Sequence, residues 1–549
     1  MVDRRLLPSA VVIWAGTWAA TSPGAAPGAM LGGAAILAAV AAALAVWWFR
    51  EQRSRPRRRQ SHALTPGGSL RLGTALAAVA GACALACGTA ASAAHARDPV
   101  VVLMRGGATW LTATLELLED PAPSPSRWSD GVRVAEVRVL DVARPGSGRQ
   151  VAPTGGGEDD GPGAGGGSGP PPCRSAARML AQGRGWEHLA RGDVVRVSAR
   201  ADASFHADPP DAGTLRADDP RLVARPGGWK GMVRVVRASL TEAVRGTSDQ
   251  ARALVPGMAV GDDREMTREL RDDMRTSSLT HLTAVSGSHV AILLGVVVWV
   301  VPGRGWGRAA ASAGVMAVLV AVVGPEPSVV RSVATAGVGV TGLLTRRPGQ
   351  AQAGLCAVAG VILLVDPWSA RSFGFALSVL ATWGVIGPAA AWIRWTRTAL
   401  REDTVPGRAA RRLAAVGAVP VAAQLLVAPV LLLLNPWLPT WGVVANIAAA
   451  PAVAPASLLG LAAASTAPWW PGGGRALATG ASLFTGWIAG VGRVVSGWPL
   501  ARLPWPDGVG GAAALVALGM LAVAGGRWAK RRRDTRGLRR PGGSGGSGG

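Results

Sequence analysis

From residue 281 onward the chain is a succession of apolar runs, at about 281–301, 308–323, 328–345, 353–366, 372–393, 413–434, 440–465, 476–496 and 510–526. A helix needs about 20 apolar residues to cross the ~30 Å hydrocarbon layer of a bilayer, and most of these runs approach that length. In hydrocarbon every backbone N–H and C=O must find its partner inside the chain, which leaves helices and closed barrels as the only spanning structures. Continuous apolarity, without period-two alternation, selects helices. Three more runs, 6–20, 30–49 and 70–94, lie upstream and bring the expected number of spans to about twelve. Overall the chain is 49% hydrophobic and only 16% charged, which excludes a soluble globular protein of 549 residues.

The connectors carry a second pattern. GRGWGR (303–308), TRRPGQ (345–350), 394–412, PGGGR (471–475) and RWAKRRRDTRGLRR (527–540) are basic, as is REQRSRPRRR (50–59). GPEPS (324–328), DPWSARS (366–372) and NPWLPT (435–440) are poor in positive charge. Cytoplasmic loops of membrane proteins are rich in Lys and Arg. The alternation therefore predicts both termini in the cytoplasm and residues 97–280 outside an inner membrane. The outer connector that fits worst is 497–508, which holds Arg502. The net charge of +24 comes with 75 Gly and no Tyr, so part of the arginine excess reflects base composition and not function.

Residues 97–228 change character. TWLTATLELLED, DGVRVAEVRVLDV and GDVVRVSARAD alternate apolar and polar residues, the signature of half-buried strands. Short strands joined by Gly- and Pro-rich connectors fit a small β-barrel of oligonucleotide-binding type. Its few aromatics, Trp110, Trp128, Trp186 and Phe205, make no stacking platform for bases. Residues 229–280 are amphipathic: WKGMVRVVRASLTEAVR interleaves basic with apolar residues and suits a helix at the membrane interface. The acidic residues of DDREMTRELRDDMR alternate with arginines, which reads as a solvated helical face and not a metal site. Cys83, Cys87, Cys173 and Cys356 lack zinc-ligand spacing, and Cys173 has no disulfide partner in its own soluble segment.

Polar residues inside apolar runs are costly, and such groups face a protein interior or a wet path. The stretch HLTAVSGSHVAILLG (281–295) opens its run with His281, Ser286, Gly287, Ser288 and His289. On one helix Ser286 and His289 would share a face, and His281 would stand nearly in line with Ser288. Gly287 between two serines is a place for the helix to loosen. Arg331 stands at the outer start of its run, where it can meet headgroup phosphates or an anion inside the bundle. Asp366 ends a run ahead of Pro367; Gln424 and Asn446 lie within runs, as hydrogen-bond links between helices or as path-lining groups.

Residues 254–295 resemble the competence core of the ComEC DNA-internalisation family, matching at Leu254, Gly261-Asp262, His281-Leu282, Ser286-Gly287 and His289. PSVVRS (327–332), DPWSARSFGFALSVLATWG (366–384) and AAQLLVAPVLLL…WGVVANIAAAP (422–451) look like later blocks of that family in the same order. Ser288 stands where the family usually has an apolar residue. No His-x-His-x-Asp-His cluster occurs, so the metallo-β-lactamase-like domain that many members carry is not expected here.

The resemblance implies a polytopic α-helical membrane protein with an inserted extracytoplasmic barrel. Its expected parts are an N-terminal region 1–96, the barrel 97–228, interfacial helices 229–280, a channel domain 281–527 and a basic Gly/Ser-rich cytoplasmic tail 528–549. It implies a channel for single-stranded DNA in natural transformation, not an enzyme, with no cofactor and no metal. Its expected partners are the strand, the lipid bilayer, a separate DNA receptor, a cytoplasmic ATP-driven motor and a separate nuclease. His281, Ser286, Gly287, Ser288, His289, Arg331, Asp366, Gln424 and Asn446 are the candidates for the DNA path. Two other readings stand beside it: a solute transporter, and an intramembrane hydrolase using Ser286 or Ser288 with His281 or His289.

Overall fold

The computed structural model describes residues 6–22, 26–38, 66–98, 100–102, 110–123, 132–143, 176–202, 213–283, 287–302, 306–323, 329, 332–333, 351–399 and 404–537. The chain divides into two compact units. The first comprises Met1–Asp272, Thr280–Val379 and Ala449–Gly490; the second comprises Asp273–Leu279, Leu380–Ala448 and Val491–Gly549.

In the first unit, α1 (Leu7–Ala20) and α3 (Pro66–Arg97) pack closely, with the short apolar α2 (Pro27–Ala38) between them in sequence. Small residues make the approach possible: a Cβ on Gly88 would stand 2.6 Å from the Ala20 Cβ. Helix α9 (Ala351–Val365) and the turn Pro367–Arg371 join this pair. Trp14 closes the group, with its indole N–H donating to Ala370 O at 3.0 Å and its ring 5.0 Å from Phe375.

The barrel is built from β1 (Trp110–Leu117), β2 (Ala122–Pro123), β3 (Arg133–Ala143), β4 (Ala176–Ala181), β5 (Val194–Asp202), β6 (Thr214–Ala217) and β7 (Arg221–Ala224). The path β1-β3-β4-β6-β5 closes back on β1, giving a five-stranded barrel with β2 and β7 on its rim. Period-two patterning sets the register. Leu111, Ala113 and Leu115 pair with Ala199, Val197 and Val195, and all six are buried. Met179, Leu215 and Trp186 fill the centre. Each large side chain removed from water here contributes roughly 1.5–3 kcal/mol. The anticipated strands are β1, β3 and β5. The short strands β4 and β6, built on Ala and Arg with little β-branching, carry no comparable sequence signal; they pair in parallel to complete the wall.

Helices α4 (Gly228–Val244), α5 (Asp249–Val260) and α6 (Arg268–Thr276) follow. On α4, Val236, Leu240 and Val244 pack against Val255, Ala259 and Val260 of α5. Helix α7 (Gly287–Val300) packs on α8 (Trp306–Val323). Arg308 donates to Val298 O and Val301 O, so one arginine of a basic connector also caps the C-terminus of α7.

The second unit contains the end of α10 (Phe373–Gly384), α11 (Ala390–Ala399) and α12 (Val405–Leu434). A π turn at Val385–Ala389 joins α10 to α11 around Pro388, which has no N–H to give to the helix. Gly384 lies against α12, where a Cβ would meet Ala422 O at 3.0 Å. The unit also takes the first turns of α13 (Gly442–Thr466), the end of α14 (Pro471–Ser496) and α15 (Gly508–Gly537). Two connectors, Trp437–Pro439 (β8) and Arg502–Pro504 (β9), pair as an antiparallel ribbon.

Among the described residues six helical segments are long and apolar enough to cross a membrane: 76–97, 306–323, 373–399, 405–434, 442–466 and 508–526. Four shorter apolar helices, at 7–20, 27–38, 289–300 and 351–365, fall below that length. The expected run at 328–345 lies almost wholly outside the described residues, and α14 is long but is not among the six. A membrane protein follows from these helices. The count of twelve spans remains an expectation from the sequence.

Candidate functional site

The stretch that opens the 281–301 run does not form one helix. His281 sits in a 3-10 turn, Thr280–Leu282, and α7 is described over Gly287–Val300. The expected alignment of His281 above Ser288 therefore does not occur, because helical spacing applies only within one α-helix. Gly287 is the first described residue of α7. His281 is exposed. Ser286, Arg331 and the Ser288 side chain lie outside the described residues.

The turn is seated by a glycine. A Cβ on Gly257 of α5 would stand 2.7 Å from Thr283 O, so only glycine lets the 280–283 segment lie on this helix. Helix α5 ends at Gly261, at φ +73, a left-handed conformation that costs glycine little. Asp262 follows and is buried. Burial pushes its pKa up, but the hydrogen bonds and charge of Arg264, helped by Arg237, outweigh this and hold it below the ordinary carboxylate value. Arg264 grips it with Nε at 2.8 Å and Nη2 at 2.5 Å. The Gly-Asp pair thus ends a helix and anchors an arginine.

His289 is 3% exposed. It lines a cavity of about 10 Å³, room for one water, with Met258, Ala259, Ile292, Leu293, Leu319, Ser457, Leu458 and Leu461. The Ser457 hydroxyl donates to Val453 O. Among the described residues His289 lies in a mostly apolar helix contact.

Gln424 and Asn446 are brought together in the second unit. Gly442, at the start of α13, is the point of closest approach: a Cβ there would be 2.7 Å from Gln424 Oε1 and 2.8 Å from the Ser278 Cβ. Gln424 Nε2 donates to Pro439 O at 3.0 Å. Asn446 Nδ2 donates to Gly442 O at 2.8 Å and to Ser278 O at 3.3 Å. The segment they hold is the end of α6, which closes with Ser278 at φ 60 and a bond from Leu279 N to Met274 O. Thr276 and Ser277 in this segment are buried. Ser496 Oγ donates to Asp273, and Arg502 reaches Thr276 Oγ1 with Nε at 2.9 Å and Nη2 at 2.6 Å. The Arg502 guanidinium also stacks over Trp437, 5.0 Å from the ring centre.

Arg502, Thr276 and Ser278 escaped the sequence reading as site residues. The one available signal was the misfit of Arg502 in an outer connector. Its bonds to Thr276 and its aromatic partner give that cation a local structural role. Asp366 belongs elsewhere: it is exposed at the end of α9 and accepts from Ser369 Oγ at 2.6 Å. No group of three or more His, Cys, Asp or Glu among the described residues could hold a metal ion.

Residues 258–531 match the family described as Competence protein. No curated protein and no solved structure matches the chain.

Proposed function

Since this chain belongs to the competence protein family, whose members fit DNA uptake, we propose that it is the inner-membrane channel through which single-stranded DNA enters the cytoplasm in natural transformation. The observation that carries the reading is the family match over 258–531, which takes in α7 to α14 and the spanning part of α15.

The physical problem is a polyanion crossing a low-dielectric layer. A route for it must be wet and lined by groups that bind weakly enough to release. Gln424, Asn446 and the Ser278 carbonyl are such groups: neutral and polar, the two amides on helices of spanning character and Ser278 in the turn that follows α6. In the arrangement described Gln424 bonds to Pro439 O and Asn446 to Gly442 O and Ser278 O, and we read these bonds as belonging to a closed form. Opening exchanges those bonds for contacts with water and bases. His289, Ser286, Ser288 and Arg331 are further candidates for contact with the strand, Arg331 through a phosphate. His281, Gly287 and Asp366 complete the set of candidates. The basic tail 528–549, which begins in the last turns of α15, receives the emerging strand by phosphate attraction. On this reading the barrel is extracytoplasmic, both termini are cytoplasmic, and the partners are a separate DNA receptor, an ATP-driven motor and a nuclease.

Uptake of labelled DNA across the inner membrane in a deletion strain tests this directly. Internalisation is expected to vanish on deletion and to return with the wild-type chain. His289→Ala and Arg331→Ala add-backs are expected to lower it. Undiminished internalisation in the deletion strain rejects the channel; normal uptake in both add-backs rejects only those two assignments.

A further inference from the structure

Helix α4 has three faces, and two are occupied. Lys230, Arg234 and Arg237 recur at i, i+4 and i+7 and meet the barrel carboxylates. Lys230 Nζ lies 2.6 Å from Glu116, Arg234 contacts Asp193, and Arg237 Nη1 lies 3.3 Å from Asp120. Val236, Leu240 and Val244 form the second face, against α5 and α8. The third face carries Trp229, Met232 and Val235, at i, i+3 and i+6, exposed by 48%, 52% and 55%. All four residues of β7, the strand that leads into α4, are exposed, with Arg221 at its start and exposed Arg225 just after it.

The depth of this face can be read from Arg237. Its Nη2 donates to Val260 O at 3.0 Å and to Val323 O at 3.1 Å, the C-terminal residues of α5 and α8. Helix α8 has 18 residues and is one of the six spanning candidates. At 1.5 Å per residue such a helix is roughly 27 Å long, close to the ~30 Å hydrocarbon layer. The middle of α4 therefore lies where a spanning helix leaves the hydrocarbon. An apolar stripe headed by tryptophan, with arginines nearby, has the chemistry of that boundary: the indole favours the headgroup level, Met and Val reach the acyl chains, and guanidinium attracts lipid phosphate.

We propose that the Trp229–Met232–Val235 face of α4 rests in the headgroup–acyl boundary of the bilayer, with anionic phospholipid as its partner. The barrel is then held at the membrane surface by lipid contact on one side of α4 and by ion pairs on the other. Three side chains flanked by arginines fall far short of the roughly 20–30 residues a side that a stable protein interface uses, which disfavours a second copy of the chain as occupant.

The test uses the full chain, with its four cysteines replaced by alanine, in nanodiscs of phosphatidylcholine and phosphatidylglycerol. Nitroxide labels on Met232→Cys, Val235→Cys and Arg200→Cys, the last on the exposed far end of β5, report collision with oxygen, which concentrates in lipid, and with a nickel chelate, which stays in water. Labels at 232 and 235 are expected to favour oxygen several-fold over the label at 200. Equal nickel access at all three overturns the proposal, and so does nickel exclusion accompanied by dipolar coupling between labels on two copies. On the chain with its natural cysteines, a phosphatidylglycerol with a headgroup-level diazirine is expected to crosslink within residues 229–235. Crosslinks confined to the spanning helices would also overturn it.

Discussion

Along α4, charged side chains meet charged side chains, while around Gly442 neutral amides meet backbone carbonyls. The α4 seam joins Lys230, Arg234 and Arg237 to Glu116, Asp193 and Asp120, and Arg264 adds Asp262 and a second contact to Asp120 at 3.6 Å. The Gly442 cluster ties Gln424, Asn446 and Ser278 together with no charged group among the three. The carboxylates of the seam are largely buried, but Lys230, Arg234 and Arg264 keep 47%, 26% and 34% of their side chains exposed, so water still lowers the cost of bringing these ions together. Among spanning helices an ion is expensive, and a neutral hydrogen bond satisfies the backbone without it. One chain thus uses each kind of bond where its surroundings make it cheaper.

Arg237 is where the seam stops resembling a surface contact. It is 7% exposed and bonds two helix C-termini as well as Asp120. Arg237→Met is expected to cost about 3–5 kcal/mol, the usual cost of breaking a buried charged contact. Thermal unfolding in detergent reads this as the largest loss in the set. A loss as small as that of an exposed pair would erase the distinction.

Gly442→Ala probes the other region. Its Cβ would collide with the Gln424 amide and the Ser278 Cβ, and overpacking of this kind costs about 1–3 kcal/mol. The same unfolding measurement applies. A fully tolerated alanine would mean that the cluster is loose and not closely packed.

Asn446→Leu keeps the volume and removes two hydrogen bonds. One of these bonds is to Gly442 of the same helix and the other to the turn at Ser278, and side-chain hydrogen bonds of membrane helices contribute about 0.6–2 kcal/mol. A loss matching that of Arg237→Met would show the neutral cluster to be as critical as the charged seam.

The smallest effect belongs to Glu116. Burial raises its pKa, but the hydrogen bond and charge of Lys230, with Arg138, more than compensate, so it sits below the ordinary glutamate value. A carboxylate with a depressed folded pKa stabilises fully above its unfolded pKa and loses that contribution as pH falls through the folded one. The wild type is therefore expected to lose stability in acid by less than about 1 kcal/mol more than Glu116→Gln. Equal acid profiles for the two would show that the outer pair contributes nothing.

How far the sequence could be read depended on the range of the forces. The alternation in TWLTATLELLED and GDVVRVSARAD revealed β1 and β5, because a strand's buried face is written every second residue. AARMLA concealed β4, whose place in the wall comes from pairing with β3 and β6. WKGMVRVVRASLTEAVR announced an amphipathic helix, but could not say that its basic stripe would meet the barrel, since Glu116, Asp120 and Asp193 lie about 35 to 120 residues upstream. Gln424 and Asn446 stood out as polar letters in apolar runs, yet only coordinates bring them to Ser278, and Arg502 was visible only as a charge in the wrong connector.

The amino-acid order alone settled the membrane character, the three main barrel strands and the family blocks, since hydrophobic run length, strand alternation and short motifs are local and survive in one dimension. The tertiary structure alone decided that His289 faces an apolar contact, that His281 sits in a 3-10 turn, and that a single arginine joins the barrel to the ends of two helices. Those outcomes depend on which surfaces meet across hundreds of residues, and a hydrogen bond acts over about 3 Å, a distance the linear order does not encode.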